Sequence, residues 1–184
     1  MTTTLVLGGP RSGKSRHAEA LFAGVDDVTF VATRVLPDGA GDPDLVARIA
    51  AHQERRPAGW RTVETLDLTR ALLASRQPVL IDSLVDWLQG VLDEQELWSD
   101  PHRAHQVVDE RLDELAVALQ AMPFDIVVIT SDPSWVRMSD DPAERLFVDL
   151  LSHVNQRVSA GSARVHAIIA GRVLDLSSAP VLGS

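Results

Sequence analysis

The chain has 184 residues, enough for one domain around a single sizeable core. Its 26 acidic and 17 basic residues leave a formal net charge of −9, without the basic face that a nucleic-acid binder presents. The absence of cysteine excludes a disulfide framework, a thiol nucleophile and a thiolate metal site, and no stretch approaches the roughly 18 uninterrupted apolar residues of a membrane span.

The N-terminus enters a strand within a few residues, over Thr4–Leu7, which leaves no room for a signal peptide; a soluble, cytoplasmic protein is expected. The next stretch, Gly8-Gly9-Pro10-Arg11-Ser12-Gly13-Lys14-Ser15, fits G-x-x-x-x-G-K-[ST], the phosphate-binding P-loop. A helix-compatible segment over 14–22 follows, with Gly24 placed to end it. Strand, loop and helix are the context the motif requires. Glycines let main-chain N–H groups approach phosphate oxygens. The N-terminus of the helix adds its own N–H groups and the positive end of its dipole. Lys14 is expected to reach the β- and γ-phosphates and Ser15 to offer its hydroxyl to Mg²⁺.

Val28–Ala32 is β-branched and apolar and predicts a buried second strand. Thr33, Arg34 and Val35 stand at its C-terminal end, the edge at which open α/β sheets bind ligands. Residues 36–42 carry Pro37, Gly39 and Gly41 and predict a loop. Pro43 opens a helix that has His52 near its end and that Pro57 stops. A short extended piece runs over 60–64, and a short helix over 67–74. Pro78–Asp82 predicts a buried strand ending in a carboxylate, a position that suits a magnesium-organising acid opposite a P-loop. Residues 84–92 predict a helix and 94–102 an irregular stretch containing Trp98. The clearest amphipathic helix is 104–120, with Val107, Val108, Leu112, Leu115 and Leu119 on one side. A strand over 125–130, a polar loop over 131–141, a helix over 143–160 and a strand over 165–170 complete the pattern. Gly171 then turns the chain into 173–176. Strands alternate with helices throughout, which predicts an α/β layer structure with a mostly parallel sheet flanked by helices. No repeat or linker marks a second domain, so residues 1–184 read as one unit, with 177–184 as a tail that frays.

Three stretches in this order point to a family: Gly8 through Glu19; Arg48-Ile49-Ala50-Ala51-His52-Gln53-Glu54-Arg55-Arg56-Pro57 with Trp60 and Glu64; and Val154-Asn155-Gln156-Arg157. Together they resemble the bifunctional adenosylcobinamide kinase/adenosylcobinamide-phosphate guanylyltransferase family of cobalamin assembly, over nearly the whole chain. The resemblance implies a RecA-like P-loop NTPase fold and, usually, a homotrimer. It implies two reactions. A nucleotide γ-phosphate goes to the hydroxyl of the aminopropanol arm of adenosylcobinamide. GTP then donates GMP to that phosphate through a guanylylated histidine, which by motif position is His52. Gly8 to Ser15, Thr33, Arg34, Val35, Gln53, Glu54, Arg55, Arg56, Glu64 and Asp82 become the nucleotide-binding set, with Lys14 and His52 catalytic and Ser15 and Asp82 on Mg²⁺. GTP or ATP serves the kinase step.

The chemistry is coherent with these residue types. A neutral imidazole can attack an α-phosphorus, and a covalent intermediate splits one hard transfer into two easier ones. Arg55 and Arg56 can spread phosphate charge through planar N–H forks. His17, His102, His105, His153 and His166 show no ligand spacing and read as structural, and Trp60 and Trp98 read as packing anchors.

The chain departs from the family pattern in two places. The family's usual Asn-Glu-Val-Gly-x-Gly stretch is here Ser131-Asp132-Pro133-Ser134-Trp135-Val136, which lacks both glycines. The family's usual Thr and Asn in the helix after Asp82 correspond to Val85 and Gly90. Two alternatives stay open at this level: a P-loop small-molecule kinase without a covalent intermediate, and a nucleotide-binding paralogue with weakened catalysis.

Overall fold

The structure is a computed structural model and describes residues 1–33, 56–135 and 139–182. The loop expected over 36–42, the helix opened by Pro43 and the residues Arg34, Val35, His52, Gln53, Glu54 and Arg55 lie outside the described residues, as does Val136.

In chain order the elements are β1 (Thr3–Gly8), α1 (Lys14–Ala20), β2 (Thr29–Ala32), β3 (Arg61–Glu64), α2 (Leu68–Ala74), β4 (Val79–Asp82), α3 (Leu84–Glu94), α4 (Pro101–Ala121), β5 (Ile126–Thr130), a short 3-10 turn (Pro133–Trp135), α5 (Pro142–Ala160), β6 (Arg164–Ile169) and β7 (Arg172–Asp175). The strands form one seven-stranded sheet in the order β3-β2-β4-β5-β1-β6-β7. Every neighbouring pair is parallel except β6 with β7. The P-loop strand β1 and the acidic strand β4 are thus separated by β5, the arrangement of a RecA-like P-loop fold.

Side chains alternate across the sheet with period two, as a sheet covered on both faces requires. Val6, Phe30, Leu80, Val127 and Ile129 pack with Ala18 and Phe22 on the α1 side. Leu5, Val31, Ile81 and Val128 pack on the other side with the apolar stripes of α2, α3, α4 and α5. Trp60 meets Phe22 edge to face and Trp98 stacks on Phe147, which makes both anchors of the packing. No helix among the described residues is long and apolar enough to cross a membrane.

Local chemistry sets the helix ends. Asp67, Ser83, Asp100 and Asp141 each accept a backbone N–H at the start of a helix. The expectation of an irregular stretch to residue 102 is corrected by one of them. Asp100 caps and Pro101 occupies the first turn, so α4 starts there. The first helix is also shorter than expected and ends at Ala20, with the chain passing through turns to Gly24 at φ +82°.

Candidate active site

The parallel strands deliver their C-terminal ends to one edge. Glu64 of β3 is level with Ala32 of β2, which is level with Asp82 of β4, which is level with Ile129 of β5. Thr130 in turn is level with Leu7, just before the P-loop. The sequence-predicted residues Gly8 to Ser15, Thr33, Glu64 and Asp82 therefore share the ligand edge of the sheet, with Glu64 on its outermost strand.

The P-loop closes on itself. The Gly9 carbonyl accepts from the Ser12 N–H at 3.3 Å and from the Lys14 Nζ at 3.4 Å. Arg11 has φ +55° and Gly13 φ +98°, and Gly13 caps α1 without a side-chain hydrogen bond. Gly8 must be glycine. A Cβ there would stand 2.7 Å from both the Ile168 carbonyl oxygen and the Ser12 Oγ. That hydroxyl is buried and has no hydrogen-bond partner, a donor enclosed by a loop shaped for anions.

Opposite stands Asp82. Burial, and after it the like charge of Asp86, pushes its carboxyl up to about 6, while Arg56 and Lys14 pull the other way. Lys14 is shifted down by burial, against the attraction of Asp82 and Asp86. Lys14 thus reaches electrostatically from the start of α1 to β4, over the end of β5.

Two neighbours fix the Asp82 turn, whose peptide to Ser83 is cis. Thr33 Oγ1 donates to the Ser83 carbonyl at 2.7 Å and accepts from the Ser83 N–H at 2.9 Å. The Thr33 N–H donates to the Asp82 carbonyl at 3.2 Å. The Thr33 hydroxyl is therefore spent on the backbone beside Asp82. On the other side Ser83 Oγ donates to Asp86 Oδ2 at 3.0 Å and accepts from the Asp86 N–H at 3.4 Å. Asp86 was not among the expected site residues. Its signal was present as Ser83-x-x-Asp86, the spacing of a capping pair. Arg56 lies on the α1 side with its guanidinium carbon 3.3 Å from the centroid of the Phe30 ring.

Asn155, known from the sequence only as part of a motif, ties α5 to the end of β5. Its Oδ1 accepts from Thr130 Oγ1 at 2.7 Å, and its Nδ2 donates to the Ser131 carbonyl at 2.9 Å. The divergent loop that follows is built on an Asp132 turn, Oδ1 accepting from the Ser134 N–H at 2.8 Å, and on the 3-10 turn. None of the described residues 131–135 has a positive φ. Four of the other histidines make contacts within the fold: His17 Nε2 meets His166 Nδ1 at 3.0 Å, and His105 and His153 bond Asp149 and Asp109 across α4 and α5.

A sequence profile described as cobinamide kinase / cobinamide phosphate guanyltransferase matches residues 4–176. The chain belongs to this cobinamide kinase / cobinamide phosphate guanyltransferase family. It is 33% identical over 177 residues to the bifunctional adenosylcobalamin biosynthesis protein CobU of Salmonella typhimurium, covering 91% of this chain and 95% of that one. It is 33% identical over 182 residues to the protein CobP of Pseudomonas aeruginosa, described in the same words, covering 96% and 98%. CobU of Escherichia coli is 30% identical over 176 residues, covering 91% and 95%. Among solved structures, that of the RadB recombinase aligns with a TM-score of 0.44 and 16% identity, over 90% of this chain and 73% of that one. In this member of the cobinamide kinase / cobinamide phosphate guanyltransferase family, the P-loop and Asp82 stand at one edge of the sheet.

Proposed function

We propose that this chain phosphorylates the aminopropanol hydroxyl of adenosylcobinamide and then transfers GMP from GTP to the resulting phosphate through a guanylylated His52. The observation that carries the reading is the pairing of a complete P-loop with Asp82 across β5, in a chain of this family. In the first transfer the acceptor oxygen bonds to the γ-phosphorus as the β–γ bridge breaks, releasing the nucleoside diphosphate. In the second, an imidazole nitrogen of His52 bonds to the α-phosphorus of GTP and pyrophosphate leaves. An oxygen of adenosylcobinamide phosphate then displaces His52 and takes the GMP.

Lys14 and the P-loop amides hold the triphosphate, and Arg55 and Arg56 spread its charge. Glu64, Thr33, Arg34, Val35, Gln53 and Glu54 belong to the nucleotide by family resemblance. Ser15 and Asp82 are hard oxygen donors and suit Mg²⁺, with the remaining ligands coming from phosphate and water. When bound, Mg²⁺ would neutralise charge on the transferring phosphate. The working unit in this reading is one domain spanning residues 1–184, assembled as a cytoplasmic homotrimer.

The test is intact-protein mass spectrometry after exposure to GTP and Mg²⁺, with and without adenosylcobinamide phosphate. Wild type gains the mass of GMP and loses it to the acceptor; His52→Ala gains nothing. Phosphoryl transfer to adenosylcobinamide with no adduct in wild type would leave a P-loop kinase alone.

A further inference from the structure

Ser83, the residue after Asp82, is held at each of its polar atoms. Its N–H donates to Thr33 Oγ1 at 2.9 Å, and its carbonyl accepts from the same hydroxyl at 2.7 Å. That carbonyl also accepts the Trp87 N–H at 2.9 Å. The Ser83 hydroxyl donates to Asp86 Oδ2 and accepts the Asp86 N–H. One peptide back, the Asp82 carbonyl accepts the Thr33 N–H at 3.2 Å. Thr33 and Ser83 are both buried. Resemblance assigns Thr33 to the nucleotide, but a phosphate oxygen needs a donor. A threonine hydroxyl has one proton to give, and here it goes to the Ser83 carbonyl.

We propose that Thr33 is a positioning residue: it clamps the peptide that follows Asp82 and so aims the Asp82 carboxyl at the metal–triphosphate, while its own side chain makes no contact with the nucleotide. The geometry supplies the reason. Asp82 is the last residue of β4, level with Ala32, and Thr33 is the first residue past that ladder. The chain turns into α3 directly after Asp82. Among the described residues none makes a hydrogen bond or a salt bridge to the Asp82 carboxylate, so its direction is inherited from its backbone. Thr33 holds that backbone through its N–H on the near side of the turn and its hydroxyl on the far side. Without the hydroxyl, the Ser83 N–H loses its partner in a buried place, and the turn must shift to find another. The inference rests on the proposed assignment of Asp82 to the metal.

The test has two measurements at pH 8 on the same proteins. Electron paramagnetic resonance gives Mn²⁺ affinity in the complex with a non-hydrolysable GTP analogue, and calorimetry in excess EDTA gives affinity for the analogue without metal. Thr33→Val keeps the shape and removes the hydroxyl. It is expected to weaken Mn²⁺ binding by about tenfold, the scale of one lost hydrogen bond, and to leave metal-free affinity within about twofold. Thr33→Ser, which keeps the hydroxyl, should restore Mn²⁺ binding. Thr33→Cys, with a weaker donor, should fall between. A folded Thr33→Val protein that binds Mn²⁺ as wild type does overturns the proposal. So does a loss of metal-free affinity as large as the loss for Mn²⁺, which would make Thr33 a direct nucleotide contact. If Thr33→Val does not fold, wild-type Mn²⁺ affinity in Thr33→Cys overturns it equally. Asp82→Asn, measured alongside, separates the two levels. An unchanged Mn²⁺ affinity there overturns the metal assignment and the inference with it. A loss there beside an unchanged Thr33→Val overturns the inference alone.

Discussion

The Lys14 ammonium and the Asp82 carboxylate ease one another's burial across the end of β5, although their strands are not neighbours in the sheet. The pair frames the place where a triphosphate must lie, and its two halves carry different consequences.

Replacing Lys14 by Met removes a charge-assisted contact of the kind that contributes about 1.5–3 kcal/mol. Affinity for GTP should fall roughly tenfold to a hundredfold, measured by isothermal titration calorimetry. An affinity within twofold of wild type would show that Lys14 does not hold the phosphates.

Asp82 carries a cost at neutral pH. Its folded-state pKa of about 6 exceeds the unfolded value near 3.9. Between those values the folded chain binds more protons than the unfolded one, so this group's contribution to stability declines as pH rises from about 4 to 6. Above that window the penalty is complete, on the order of 2–3 kcal/mol. Asp82→Asn should therefore stabilise the nucleotide-free protein by that order at pH 8 and hardly at all at pH 4, in urea titrations at both values. Equal effects at both pH values would refute the assignment.

Two residues of one motif should behave differently. Asn155→Ala leaves the fully buried Thr130 hydroxyl and the Ser131 carbonyl without their partner, at a cost of about 1–3 kcal/mol. Arg157 bridges Asp109 and Asp113 on the surface between α4 and α5, and Arg157→Ala should cost about 1 kcal/mol or less. Chemical denaturation of the two variants side by side decides this, and a larger loss for Arg157→Ala would contradict it.

The divergence at Gly90 has a packing cause. A Cβ there would stand 2.7 Å from Leu66 Cδ2 and 2.9 Å from its Cδ1, and Trp87 Nε1 holds the Leu66 carbonyl at 3.0 Å so that the backbone cannot retreat. Gly90→Asn should cost about 1–3 kcal/mol by overpacking. Adding Leu66→Ala should cost less on that background than it does alone. Additive thermal shifts would show the two positions to be independent.

Much of the layout was legible from residues alone. The P-loop is a local motif, and the buried strands declare themselves by runs such as Val79-Leu80-Ile81 ending on a charge. The Asp100-Pro101 start of α4 is a readable cap, although the hydrophobic periodicity of the helix begins only a turn later. What could not be read are contacts between segments distant in sequence. Thr33 clamps Ser83 from fifty residues away, Phe30 stacks against Arg56, and Gly90 makes room for Leu66. None of these pairs has a periodic or compositional signature, because each is decided by strand order. In the divergent stretch, the described residues 131–135 are held by an Asp132 turn and have no positive φ.

The position of β1 makes the phosphate cradle a late structure in the life of the chain. This first strand has no partner among β2, β3 and β4; it lies between β5 and β6, and Gly8 fits only against the carbonyl of Ile168. A ribosome will have delivered the whole P-loop motif long before the strands that support it. Nascent chains ending before residue 126 therefore carry the motif without a floor, and nucleotide cannot serve as a folding template for the β2–β4 half of the sheet. Capture of triphosphate becomes a report that the last third of the molecule has been made.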